Sequence, residues 1–199
     1  MPVKPEREYR NNVQLRAMCD DNFIVEGYAA TFNDPYVMAE CNGIEYKERI
    51  APNAFDGADM SDAIMQYDHC GRVYARCSNG TLTLHTDAHG LFVRADLSKT
   101  DAARKLYEDI ASGMVTKMSF SFIIAERAYD RGEHLSTITR IKKVYDVSAV
   151  SIPANPSTDI SARSYFDGVI ETEKQELLLV ERKKQKIRIL LEVTKNAKN

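Results

Sequence analysis

No apolar run in the chain approaches the roughly 20 residues that span a bilayer, so a membrane-embedded protein is not expected. The first ten residues, Met1 to Arg10, are charged and lack the apolar stretch of a secretory signal. Four cysteines, Cys19, Cys41, Cys70 and Cys77, show no CxxC spacing; without a signal they read as reduced thiols in a cytosolic compartment. The net charge is −2, so there is no basic field to hold nucleic acid or an anionic membrane. A Gly-rich phosphate loop and a GxSxG elbow are both absent. What is present is ordinary for a soluble globular protein: 44% hydrophobic and 28% charged residues. A chain of 199 residues suffices for one sizeable domain with a tail. A domain of that size buries roughly 70% of its unfolded surface and needs no covalent staple. Composition predicts a soluble intracellular protein and leaves its activity open.

Residues 13–18 and 23–32 are β-rich and flank Cys19-Asp20-Asp21-Asn22, a hairpin pattern. Residues 33–43 read as a loop, with turn signals at Asn33-Asp34-Pro35 and Asn42-Gly43. Short strands are predicted at 44–50, 63–67, 72–77, 80–85 and 91–97, with tight turns at Asn79-Gly80 and Asp87-Ala88-His89-Gly90. The period then changes. Thr100 suits an N-cap, Asp101 follows in the first turn, and Ala103, Leu106, Tyr107 and Ile110 form an apolar stripe. Gly113 sits where such a helix ends. A strand over 117–125, a charged connection over 126–137 and a long strand over 138–152 come next, stopped by Pro153. Residues 153–168 read as a linker, and 171–193 return to helix composition. The pattern predicts a mainly β α+β fold: short strands in a closed or nearly closed barrel, one internal helix and a helical C-terminal tail.

Several residues could carry chemistry. His69 lies at a strand end beside a turn, where an imidazole can exchange protons near neutral pH; from position alone a surface-loop histidine fits as well or better. In 117–125, Met118, Phe120, Phe122 and Ile124 point to one face and Ser119 and Ser121 to the other. A strand flank holds a nucleophile rigidly and leaves one side open, yet two serines are also the common polar face of an amphipathic strand. Asp146 shares a face with Val144, Ser148, Val150 and Ile152 by alternation. An acid there must be hydrogen-bonded or paired: orienting an imidazole is one use, a salt bridge to Arg140 or a lysine another. Cys70, Cys77, His85 and His89 are spaced C-x6-C-x7-H-x3-H, wider than structural zinc sites prefer, and independent loop residues explain them better. In the tail, Leu177, Val180, Ile187 and Leu191 fall near heptad spacing with Lys184 breaking the stripe, a pattern suited to docking or self-association. The basic run Arg182 to Lys186 reads as a solvated face, given Glu173, Glu176 and Glu181 nearby.

Taken in order, these segments resemble the prohead (capsid maturation) protease family of tailed phages. They are Val25-Glu26-Gly27-Tyr28-Ala29-Ala30-Thr31-Phe32-Asn33, Ile50-Ala51-Pro52-Asn53-Ala54-Phe55 and Gln66-Tyr67-Asp68-His69. Then follow Gly80-Thr81-Leu82 with Asp87-Ala88-His89-Gly90-Leu91, the nucleophile-like Gly113 to Phe122, and Asp146-Val147-Ser148 before Pro153-Ala154. No single segment is specific; six in the right order are. The resemblance implies a β-barrel akin to the herpesvirus assembly protease, surrounded by helices. It implies His69 as base, Ser119 as nucleophile and Asp146 as third member. The family usually has Glu at the last position, Asn where Asp68 stands, Asp where Cys70 stands and Gly where Ser121 stands. Ser121 shares the Ser119 face by alternation and is therefore a rival nucleophile; Ser119 aligns with the family serine.

The implied activity is a serine endopeptidase, without cofactor or metal, cleaving the scaffolding segment of the major capsid protein and itself. Its partners would be the major capsid protein, its scaffold and the portal-bearing prohead shell, with self-association of the chain, and with neither nucleic acid nor membrane. It would act in the host cytoplasm inside the assembling prohead. Residues 1–156 would form the catalytic domain and 157–199 a linker and tail for self-cleavage or docking. Two other readings compete: a non-catalytic capsid-assembly scaffolding protein on the same fold, and a small metal-binding β-domain using Cys70, Cys77, His85 and His89.

Overall fold

The computed structural model describes residues 7–18, 22–151 and 160–196. In chain order its elements are β1 (Glu8–Ala17), β2 (Ile24–Thr31), β3 (Tyr36–Cys41), β4 (Ile44–Ile50), β5 (Ile64–Tyr67) and β6 (Cys70–Arg76). They continue with β7 (Leu82–Thr86), β8 (Gly90–Asp96), α1 (Asp101–Ala111), β9 (Lys117–Asp130), β10 (Leu135–Val150) and α2 (Ile160–Asn196). The α1 helix follows its sequence signals. Thr100 Oγ1 accepts from the Ala103 N–H at 3.1 Å, Ala103, Leu106 and Ile110 are buried, and Gly113 follows with φ +78°. A left-handed residue there ends the helix at no steric cost to glycine.

The strands run β3-β4-β10-β9-β1-β2-β8-β7, with β5 joined to β10 and β6 to β5. This path does not close, which corrects the expected barrel. The reason lies in β10. Its first part, Leu135–Ile138, pairs in parallel with β4, and its last part, Asp146–Ala149, pairs in parallel with β5. One edge of a single long strand is thus shared by two separate strands, and the sheet branches there rather than curling back on itself. The other edge of β10 takes β9 along almost its whole length, and β9 in turn takes β1. Only two helices accompany the sheet among the described residues, α1 against β1 and β6 and α2 against β3, so it is not surrounded by helices.

Three local readings also change. Tyr36–Cys41, read as loop, is β3, and Asn42 (φ +53°) and Gly43 (φ +76°) form the two-residue turn to β4. The charged connection at 126–137 is mostly hairpin, with Asp130 facing Leu135; exposed charged tips hide such extensions from a hydrophobicity pattern. The α2 helix starts at Ile160, so residues 160–168, read as linker, are helical. The expected stop at Pro153 lies outside the described residues.

The main core gathers Val25, Met65, Leu91, Phe120, Phe122 and Ile141 between the sheet and α1. Gly90 is fixed by close approach: a Cβ there would stand 1.9 Å from the Ala30 carbonyl oxygen of the neighbouring strand. A second cluster, Met38, Tyr46 and Phe166, seats α2 on β3 and β4. No helix among the described residues is long and apolar enough to cross a membrane.

Candidate active site

The strand registers assemble the site. Asp146 of β10 faces Ser121 of β9, and Ser121 faces Tyr9 of β1. One row along, Ser148 faces Ser119. Residues directly opposite in a ladder project to the same face. Asp146, Ser148, Ser119 and Ser121 therefore share one face, while Phe120 and Phe122 take the other into the core. This revises the reading of Asp146. The ladder slips between Val144 and Asp146, so Val144 faces Phe122 and Asp146 faces Ser121. A slip of one residue reverses which side is core. Asp146 is thereby separated from the apolar Val144 face.

His69 comes to this face from a turn. Strands β5 and β6 are paired with Tyr67 opposite Cys70, leaving Asp68 and His69 as a two-residue hairpin loop. Both have left-handed backbones, φ +48° and +56°, as both central positions of a type I′ turn require. Asp68 tolerates that conformation and also anchors it. Its N–H donates to the Ala149 carbonyl at 2.9 Å, and its carboxylate accepts from Ser151 N and Ser151 Oγ, each at 2.9 Å. The turn is thus pinned to the end of β10 beside the acid.

The result is a continuous chain of polar atoms. His69 Nε2 lies 2.6 Å from Ser119 Oγ, and His69 Nδ1 lies 2.5 Å from Asp146 Oδ1. Ser148 Oγ donates to Asp146 Oδ1 at 2.7 Å, and Ser121 Oγ donates to Asp146 Oδ2. Arg7 closes the far side: its Nη2 pairs with Asp146 Oδ2 and its Nε donates to Ser121 Oγ at 2.9 Å. The Tyr9 ring stands edge-on to His69 at 4.7 Å, and the Arg7 guanidinium lies 4.6 Å from the centre of the Tyr145 ring. Asp146, Ser119, Ser121 and Ser148 have no exposed surface, whereas the His69 side chain keeps 16%. The serine flank, expected to be open on one side, is covered.

Burial alone would raise the Asp146 pKa. The hydrogen bond from His69 Nδ1 and the electrostatic attraction of its ring, together with hydrogen bonds from Ser121 and Ser148, outweigh it and hold the carboxyl below its ordinary value. An ionised carboxylate only accepts, so the Nδ1 proton belongs to His69 and Nε2 is left to accept from Ser119. Such an array can remove a proton from a hydroxyl and stabilise the imidazolium that results.

The chain belongs to the caudovirus prohead serine protease family. The family's model matches residues 11–171, most of the chain and the first part of α2. No curated protein and no solved structure matches it. Membership makes this a protein of a capsid-maturation serine protease family, associated with capsid proteins.

Of the other residues singled out in the sequence, Arg140 pairs with Glu126 at 2.5 Å rather than with Asp146. His85 packs on Phe92 at 4.9 Å and His89 on Tyr28 at 4.4 Å. Cys77 is half-buried, which pushes its thiol up, and Cys70 Sγ points to the Tyr67 carbonyl at 3.7 Å. Among the described residues no three His, Cys, Asp or Glu side chains gather as metal ligands. Sequence reasoning missed Arg7, Tyr9 and Asp68. The first two lay in a stretch read only as a charged terminus, and the third was noted only for replacing the usual Asn.

Proposed function

We propose that this protein is a serine endopeptidase of prohead maturation, with Ser119 as nucleophile, His69 as general base and Asp146 as its orienting acid. The observation that carries the reading is the unbroken chain Ser119 Oγ, His69 Nε2, His69 Nδ1, Asp146 Oδ1 at 2.6 and 2.5 Å. His69 takes the Ser119 proton as Oγ attacks the scissile carbonyl, then returns it to the leaving amine; Asp146 fixes the tautomer and balances the imidazolium. Ser121 is a poor rival. Its proton is committed to Asp146 Oδ2 and its oxygen already accepts from Arg7. Ser121 and Ser148 instead keep Asp146 ionised. The shorter reach of Asp against the usual Glu is met by the Asp68-His69 turn, which brings the imidazole onto the strand. Since Ser119 has no exposed surface, a substrate carbonyl reaches Oγ only when the groups over it shift.

The substrates would be the scaffolding segment of the major capsid protein and the protease itself, cut inside the assembling prohead in the host cytoplasm. Residues 1–156 would act as the catalytic unit and 157–199 as the part lost or used for docking. Co-expression with the cognate capsid protein and scaffold tests this. Cleavage should disappear in Ser119→Ala and persist in Ser121→Ala. Cleavage that survives Ser119→Ala defeats the nucleophile assignment, and a wild type that cleaves nothing while shells assemble favours a scaffolding role.

A further inference from the structure

The α2 helix leaves the body of the protein while still carrying an apolar stripe. Its positions Phe166, Ile170, Glu173, Leu177, Val180, Lys184 and Ile187 recur at alternating steps of four and three, the spacing of a coiled-coil seam. At the start the stripe is occupied by the protein's own core, where Phe166 is fully buried against Met38 and Tyr46. Beyond it the stripe is bare: Leu177 is 66% exposed, Val180 48% and Ile187 57%. A groove of about 480 Å³, lined by Ile44, Tyr46, His134, Ile170, Leu177 and Val180, runs beside the point where the helix parts from the sheet.

We infer that this face binds the α2 helix of a second copy of the chain, antiparallel, about a two-fold axis between Leu178 and Leu179. The charges choose this occupant and this direction. In that register Leu177 meets Val180 of the second copy, Ile170 meets Ile187 of the second copy, and Lys184 meets Glu173 of the second copy. The two charges that interrupt the stripe therefore neutralise each other. Glu173 sits at the groove with its carboxylate on the Tyr46 and Tyr129 hydroxyls at 3.0 Å each and beside His134 Nδ1 at 3.3 Å, and Lys184 of the second copy would bring a permanent positive charge to it. The flanking positions agree: Lys174 opposes Glu181, Asp167 opposes Arg188, and Glu176, which also pairs with Arg131 of its own chain, opposes Lys183. A parallel pair does the reverse. It stacks Lys184 on Lys184 and Glu173 on Glu173, and sets Glu176 beside Glu181 and Lys183 beside Arg188. Opposite charges at flanking positions set partner and orientation in coiled coils. The side chains of the second copy at Val180, Lys184 and Ile187 lie along the groove side of the seam. The inference is independent of the catalytic assignment.

The full chain carrying Ser119→Ala, which cannot trim its own tail if the proposed nucleophile is right, is the material for the test. Sedimentation equilibrium should show a concentration-dependent dimer. Glu181→Lys should weaken it about tenfold by setting lysine against Lys174, and Glu181→Lys with Lys174→Glu should restore it. Leu177→Cys mixed with Val180→Cys should form an oxidised heterodimer, since these positions share a layer, while Leu177→Cys alone should not exceed the parent chain with its natural cysteines. A chain that stays monomeric at all concentrations overturns the proposal. So does Glu181→Lys that tightens the dimer, or Leu177→Cys that links to itself, because both belong to the parallel pair. A monomer that pairs only with co-expressed capsid protein assigns the face to another occupant and equally overturns it.

Discussion

Two buried polar clusters meet strand β1, one on each face of the sheet. On one face Tyr9 and Arg7 border Asp146, Ser121, Ser119 and His69. On the other, Glu8 and Arg10 join Glu48, Arg127 and Tyr36. Arg10 Nε and Nη2 reach Glu48 at 2.5 and 3.1 Å, Arg127 reaches Glu8 at 2.8 Å, and the Tyr36 hydroxyl donates to Glu48 at 2.7 Å. Both clusters are largely buried, apart from the Arg7 side chain at 39% exposure, yet their chemistry differs. Every cation in the second is an arginine, which does not release its proton in a protein. Burial lowers the Arg10 pKa, but the charge of Glu48 overrides it and fixes the guanidinium as a cation. Burial and Glu48 also hold the Tyr36 phenol far above its usual range. Its arginines and the Tyr36 phenol are thus held in one protonation state. The first cluster places an imidazole between a carboxylate and a hydroxyl, so a proton can move along it. Buried charge is common to both clusters; a titratable group in line with a hydroxyl belongs to the first.

Breaking the comparison at its acids should give the largest effects, of different kinds. Asp146→Asn removes the acceptor that fixes the His69 tautomer. Capsid-protein cleavage should fall about 10⁴-fold, read by gel densitometry in co-expression, while the protein stays folded. Glu48→Gln removes the fully buried carboxylate that meets Arg10 and leaves only Glu8 to balance that charge in the interior. Removing one partner of a buried pair costs about 3–5 kcal/mol, which calorimetry would read as a lower melting temperature, with cleavage per folded molecule retained. A Glu48→Gln protein that is stable but inactive would show that the two clusters are not separable in this way.

What the sequence disclosed follows the same division. Ser119, His69 and Asp146, which the structure brings into contact, were singled out together because six segments stood in family order. Alternation in 117–125 correctly separated the serines from Met118, Phe120 and Phe122. The same rule misjudged Asp146, because a slip in the ladder between Val144 and Asp146 leaves no mark in a run of alternating residues. The Asp68-His69 turn lacks the Asn-Gly signature of its type, so His69 was read as a strand end beside a turn rather than as part of the turn itself. The ion network was invisible: Glu8, Arg10, Glu48 and Arg127 lie far apart in sequence and each resembles surface charge. The open sheet was hidden for a similar reason, since nothing in a one-dimensional pattern says that β4 and β5 share one edge of β10.

A finer contrast lies inside the ion network. Burial raises the Glu8 pKa despite Arg10 and Arg127, whereas at Glu48 the charge and hydrogen bonds of Arg10 overcome burial and lower it. Linkage gives these shifts opposite signs. A carboxylate lowered in the folded state adds stability above its ordinary 4.5, lost as pH falls through the folded value. One that is raised adds stability below 4.5, lost as pH rises through the folded value. The stability deficit of Glu48→Gln should therefore grow from acid toward neutral pH. That of Glu8→Gln should shrink over the same range and be smaller throughout. Urea unfolding of both variants at acid and neutral pH reads the two slopes directly. Equal slopes would mean that Arg10 and Arg127 divide their charge evenly between the two carboxylates, and that Glu48 is not the acid on which the network is built.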